Sequence, residues 1–337
     1  MSELSDVRAE QQAADIEPDG APQAKVEPDL APTPRPPRRL NIIGRRNWFF
    51  ALSLIVIVPG IVSMATRHFA LGIDFAGGTE LTATFPNHPS LAQVQAAVDA
   101  EGVNGSVIST GGDGYIIRYP PLSATQLTNI QADLKNRLGP TNVQQILTVG
   151  GTIAGETIAL SLLAVVLASV AILLLLAVRF RNVPGGWRAG FQFGGSALAA
   201  LLHDVFILTG IFSILGAVLN LRIGEIDAFF VSAVLTVVGF SVHDTIVVFD
   251  RIRENLRVSQ RLSFEQVVNL SIMQTAARSI ITSFTVVLVL TAILIAGGST
   301  LQGLALALLI GIVSGTYSSI FNAAPLLVVW RRVQPLR

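Results

Sequence analysis

Six stretches of this chain, at about residues 48–65, 154–178, 195–219, 227–249, 279–297 and 301–330, are predominantly apolar. Each is long enough to cross a bilayer, for which about 20 residues suffice. Inside a bilayer the backbone finds no water, so a crossing segment must satisfy its own N–H and C=O groups, as a helix does. Charged residues make up only 13% of the 337, against about a quarter in soluble domains. The pattern predicts a polytopic α-helical membrane protein with six transmembrane helices. There are no cysteines, so disulfides and thiolate metal sites are excluded. His68, His88, His203 and His243 lack the spacing of a zinc motif. No nucleotide loop, hydrolase elbow or metal signature is present, so neither an enzyme nor a cofactor is expected. The net charge of +1 gives no reason to expect nucleic acid.

The segments between the runs set the organisation. Residues 1–40 hold seven of the sixteen prolines among alanines and acids, a composition that cannot bury a core and predicts a disordered tail. The first transmembrane helix is expected at 46–65, with a kink at Pro59-Gly60. Residues 66–152 are the one sizeable polar region. Residues 79–85 alternate as a strand does. Ser90 with Gln93, and Ser123 with Gln126, are capping boxes that open two helices. Residues 105–110 and 115–119 read as strands joined by a glycine-rich turn, and 142–149 alternates again. The order βαββαβ predicts a small α+β ferredoxin-like domain between the first and second spans. Residues 153–332 complete a five-helix bundle with a loop at 250–277, amphipathic around 264–272. Placing the N-terminus in the cytoplasm puts sixteen arginines in the inner segments near the spans and five Arg or Lys residues in the outer ones. That asymmetry predicts cytoplasmic termini, a cytoplasmic loop 250–277 and an extracytoplasmic 66–152.

Ionisable groups inside an apolar span are costly and mark function. The third span holds His203 and Asp204; the fourth holds His243 and Asp244; Arg278, Thr282, Ser283 and Thr285 open the fifth. Ser232, Thr236, Gly239, His243 and Asp244 share helical spacing, so that face is expected to look inward. Asp204 lies nine positions into its span, about 14 Å, and Asp244 five positions before its end, about 8 Å. All sit in the cytoplasmic half, where a proton relay of Asp244 and Arg278, supported by His243, Asp204, His203 and Thr282, is expected. The competing reading is that these groups only bind helices together. In the sixth span, Gly303, Ala307, Gly311, Gly315, Ser319 and Ala323 repeat every four residues, a packing seam.

Three segments carry a resemblance: 72–79 (Gly-Ile-Asp-Phe-Ala-Gly-Gly-Thr), 237–255 around His243-Asp244, and 278–283 (Arg-Ser-Ile-Ile-Thr-Ser). With the six-span layout, the chain resembles the SecD/SecF family of protein-export membrane proteins, in its smaller, SecF-type half, over about residues 45–332. The resemblance implies a SecD-like partner, the SecYEG translocon, translocating preprotein as substrate, and the bacterial inner membrane. It also implies a link to the resistance-nodulation-division exporters and outward movement of preprotein driven by proton flow. The family's intramembrane aspartate falls on Asp244 and its arginine on Arg278. Two positions depart from the family: His243 stands where Asn is usual, and Gly151 where Pro is common, which implies a looser hinge into the membrane. The alternatives are half of a small-molecule or lipid exporter and a non-transporting scaffold of the translocon. An outer region of only 66–152 is small for a drug pocket.

Overall fold

The computed structural model describes residues 40–258 and 261–335; the tail, apart from Leu40, lies outside them. Helix α1 spans Arg46–Arg67 and runs through Pro59. Gly60 lies against Gly210, where a Cβ would come within 2.8 Å of the facing Cα, so the two helices cross in contact at glycines. A short helix α2, Ile73–Ala76, leads into the sheet domain. Its elements are β1 (Gly78–Thr84), α3 (Leu91–Asp99), β2 (Ser106–Gly111), β3 (Gly114–Tyr119), α4 (Ala124–Leu138) and β4 (Asn142–Val149). The sheet is antiparallel in the order β2-β3-β1-β4, the ferredoxin-like arrangement expected. Both predicted capping boxes form. Leu81, Ala83 and Phe85 of β1 and its end, with Tyr115 and Ile117 of β3, pack on Val94, Val98, Ile130 and Leu134 of the helices. The other sheet face carries Glu80 and Arg118, paired across β1 and β3. Gly77 and Gly78 hold φ of 69° and 124°, and a Cβ on Gly78 would meet Tyr119 O at 2.4 Å. Only glycine suits that turn.

Five longer helical segments follow: α5 (Gly151–Arg179), α6 (Gly186–Ser213), α7 (Ala228–Val258), α8 (Phe264–Ala296) and α9 (Ser299–Ser318). A π-helical turn, Ser319–Ala323, joins α9 to α10, Ala324–Val333. Among the described residues, six helical segments are long and apolar enough to span a membrane. Among the described residues, the stretch 250–277 is helical except at 261–263, because α7 and α8 run on past the apolar runs. Ser263 and Gln266 form a third capping box, which opens α8. The most apolar window of α5 is unburied, whereas half of that of α7 and of α9–α10 is buried. Packing on α7 follows from close contact, since lipid offers no less apolar surroundings than protein. A Cβ on Gly311 would collide with Val237, and one on Gly315 would press on Ser241. The α9 seam therefore seats against α7. Phe180 stacks on Phe193 at 4.8 Å, Phe249 meets both edge-on at 5.9 and 5.0 Å, and the three tie α6 and α7 to the end of α5.

Candidate functional site

The six candidate residues separate into two groups. Asp204, on α6, is 1% exposed. Its Oδ2 accepts from Ser241 Oγ of α7 at 2.7 Å and from Ser318 Oγ of α9 at 2.6 Å. Its Oδ1 accepts from Ser314 Oγ at 2.7 Å and lies 3.1 Å from His203 Nδ1. Ser314 and Ser318 are four apart, so one face of α9 presents both hydroxyls. His203 stacks on Tyr317, with centroids 6.1 Å apart, and its Nε2 is buried without a partner. Tyr317 donates to Phe49 O of α1 at 2.8 Å, and Asn322, in the π turn, bonds Ser53 of α1 at 3.0 Å. A carboxylate thus sits where three core helices meet, with charge-assisted bonds to each neighbour.

Asp244, on α7, is 4% exposed, and its surroundings are different. Its Oδ2 has no hydrogen-bond partner. Ser279 Oγ of α8 lies beside the carboxyl, but the two make no bond of acceptable geometry, and it too is buried unpaired. Arg278 is near enough for its charge to act on Asp244, yet among the described residues no ion pair joins them. The Arg278 side chain is exposed and lines a cavity of about 450 Å³ with Asp250, Arg251, Arg253, Glu254 and Arg257. Thr282 is exposed and donates to the backbone oxygens of Arg278 and Ser279, both at 3.0 Å. Asp204 and Asp244 share no partner: the first is held by α7 and α9, the second faces α8.

The polar stripe of α7 differs from expectation. Ser232, Thr236, Gly239 and His243 are exposed, while Val234, Val237, Val238 and Val242 are buried. One residue turns a helix by about 100°, which carries Asp244 out of the open face and into the bundle. The hydroxyl ring around Asp204 had one sequence signal, Ser314 and Ser318 at i and i+4, hidden one position before the more obvious glycine seam.

Known proteins match both halves of this architecture. The family described as "Protein export membrane protein SecD/SecF, C-terminal" matches residues 129–333, and the "SecD/SecF GG Motif" matches 62–85, which contains the Gly77-Gly78 turn. The protein translocase subunit SecF of Thermobaculum terrenum is 42% identical over 311 residues, 88% of this chain and 96% of that one. The chain belongs to the SecF family of protein translocase subunits. The SecF of Haemophilus influenzae is 36% identical over 283 residues, covering 82% of each chain. The crystal structure of SecDF, a translocon-associated membrane protein from Thermus thermophilus, matches with a TM-score of 0.77 at 29% identity over 97% of this chain. SecDF in its super-membrane-facing form matches at 0.62 and 28% identity over 88%. This chain spans 41% and 39% of those two chains. As a SecF-family subunit it is a multi-pass membrane protein of the Sec translocation pathway, with a SecD-type partner.

Proposed function

We propose that this SecF-family chain converts proton flow into outward movement of preprotein beside the SecYEG channel of the bacterial inner membrane. Its termini lie in the cytoplasm and the sheet domain lies on the periplasmic side; the arginine asymmetry supports that orientation. The observation that carries the reading is the unpaired Oδ2 of Asp244, buried beside Arg278 and Ser279. An ionised carboxylate oxygen without a donor is costly inside a bundle. A proton, or the guanidinium of Arg278 swinging in from the cavity, satisfies it, and exchange between the two states moves α7 against α8. One charge crossing the field is worth about 2.3 kcal/mol per 100 mV, enough to shift such an equilibrium. His243 and Thr282, on the open side, are available to the SecD-type partner. His203 and Asp204 hold the helices that the relay works against.

Proteoliposomes containing the complex test this. Asp244→Asn is expected to cut proton flux at least about tenfold while the complex still assembles. Unchanged flux would leave the scaffold reading in its place.

A further inference from the structure

The helix that carries Asp244 begins in a second charged cluster. The loop from α6 to α7 runs along the uncovered face of the sheet. Ile226 N donates to Ala70 O and Gly72 N to Ile226 O, both at 2.8 Å, so that Leu71 and Ile226 bridge in parallel. Asp74 Oδ2 accepts from Ala228 N, the first residue of α7, at 2.9 Å. Beside this bridge, Arg118 of β3 sets Nη1 and Nη2 on the two oxygens of Glu225, at 2.9 and 2.6 Å, and Nε on Glu80 of β1 at 2.8 Å. Arg222 stands 3.6 Å from Glu80. The Arg118 and Glu225 side chains are only 21% and 12% exposed. Burial works against the charge on Arg118, but the hydrogen bonds and charges of Glu225 and Glu80 outweigh it and hold its pKa above the usual arginine value. A bidentate, largely buried pair is stiff in a way that exposed ion pairs are not.

We propose that Arg118, clamped between Glu80 and Glu225, is the positioning residue that passes displacement of α7 to the sheet domain. The proposal rests on the proton-driven reading above. The covalent link into α5 runs through Gly150 and Gly151, adjacent glycines with no side chains to stiffen the backbone. The clamp and the Leu71–Ile226 bridge grip the residues just ahead of the helix whose interior holds Asp244, and Asp74 holds the N–H of its first residue. An axial shift or rotation of α7 therefore acts directly on β1 and β3.

The test uses the full chain reconstituted with its SecD-type partner and the translocon, with proton flux and preprotein movement measured together. Arg118→Gln and Glu225→Gln are expected to assemble and conduct protons while preprotein moved per proton falls about tenfold, within the usual range of coupling between sites. The chain has no cysteine, so Leu71→Cys with Ile226→Cys sets its only two thiols on the bridged pair, where oxidation is to close one disulfide. In the Glu225→Gln background that disulfide is expected to restore the ratio, and reductant to abolish the rescue. A ratio unchanged by either single variant, or flux and movement falling in parallel, would overturn the joint. Flux surviving Asp244→Asn in the same preparation would sink the proton reading, and the joint's driven role with it.

Discussion

Asp204 and Asp244 sit on adjacent helices, 1% and 4% exposed, and by burial alone they are the same kind of residue. Their partners separate them. Asp204 accepts from three serine hydroxyls and has a histidine nitrogen at 3.1 Å, whereas one oxygen of Asp244 has none. A saturated buried carboxylate resists change, because a rearrangement breaks several charge-assisted bonds at once. An unsaturated one is poised to take a proton or a cation. Intramembrane acids are therefore better told apart by their donors than by their depth.

The contrast can be broken by removing the saturated partner. Asp204→Ala takes the shared acceptor from Ser241, Ser314 and Ser318, of which Ser318 alone also reaches a backbone oxygen, Gly315 O at 3.2 Å, and is expected to cost about 3–5 kcal/mol, read as a collapse of the thermal midpoint and of assembly in detergent. A midpoint that did not move would mean the ring of serines holds nothing. Ser318→Ala removes one charge-assisted bond and should cost about 1.5–3 kcal/mol, with proton flux retained in whatever fraction remains folded. Asp244→Asn should change stability by less than about 1 kcal/mol, since an amide adds a donor for Ser279 Oγ. A large loss there would make Asp244 a second structural acid.

A third carboxylate sharpens the comparison with the smallest effect. Asp227 caps α7 through Phe230 N at 2.8 Å. Burial first, then the charges of Asp74 and Glu225, push its pKa above the ordinary 3.8, against the pull of the Phe230 N–H. A folded-state pKa above the unfolded one means that the folded chain binds more protons in that window, so stability declines as pH rises from about 3.8 through the raised value. Asp227→Asn keeps the cap acceptor and should gain less than about 1 kcal/mol above that window and nothing below it, seen as thermal midpoint against pH. A gain that grows toward acid would reverse the assignment.

The fold was largely readable from periodicity. Six apolar runs specified the spans, and two S-x-x-Q boxes with alternating strands specified the βαββαβ domain. Alternation alone does not give sheet order or what lies on the free face. The clamp of Arg118 on Glu225 joins residues 107 apart and left no local trace. Helix ends ran past the apolar limits because polar turns outside the bilayer continue a helix at little cost, and this shortened the connection near 250–277. The acids themselves stood out at Asp204 and Asp244, since charge in an apolar run is conspicuous. Their roles did not, because which face of α7 is buried depends on α9. The glycines of α9 admit Val237 and Ser241, and this draws the valine face inward and leaves His243 outside.

The most direct measurement of the difference between the two acids is infrared difference spectroscopy of the reconstituted complex across a pH step, following the C=O stretch of protonated carboxyls. The account predicts a carboxyl band that changes with pH, is lost in Asp244→Asn and persists in Asp204→Asn. A band that survives Asp244→Asn and vanishes with Asp204→Asn would contradict it.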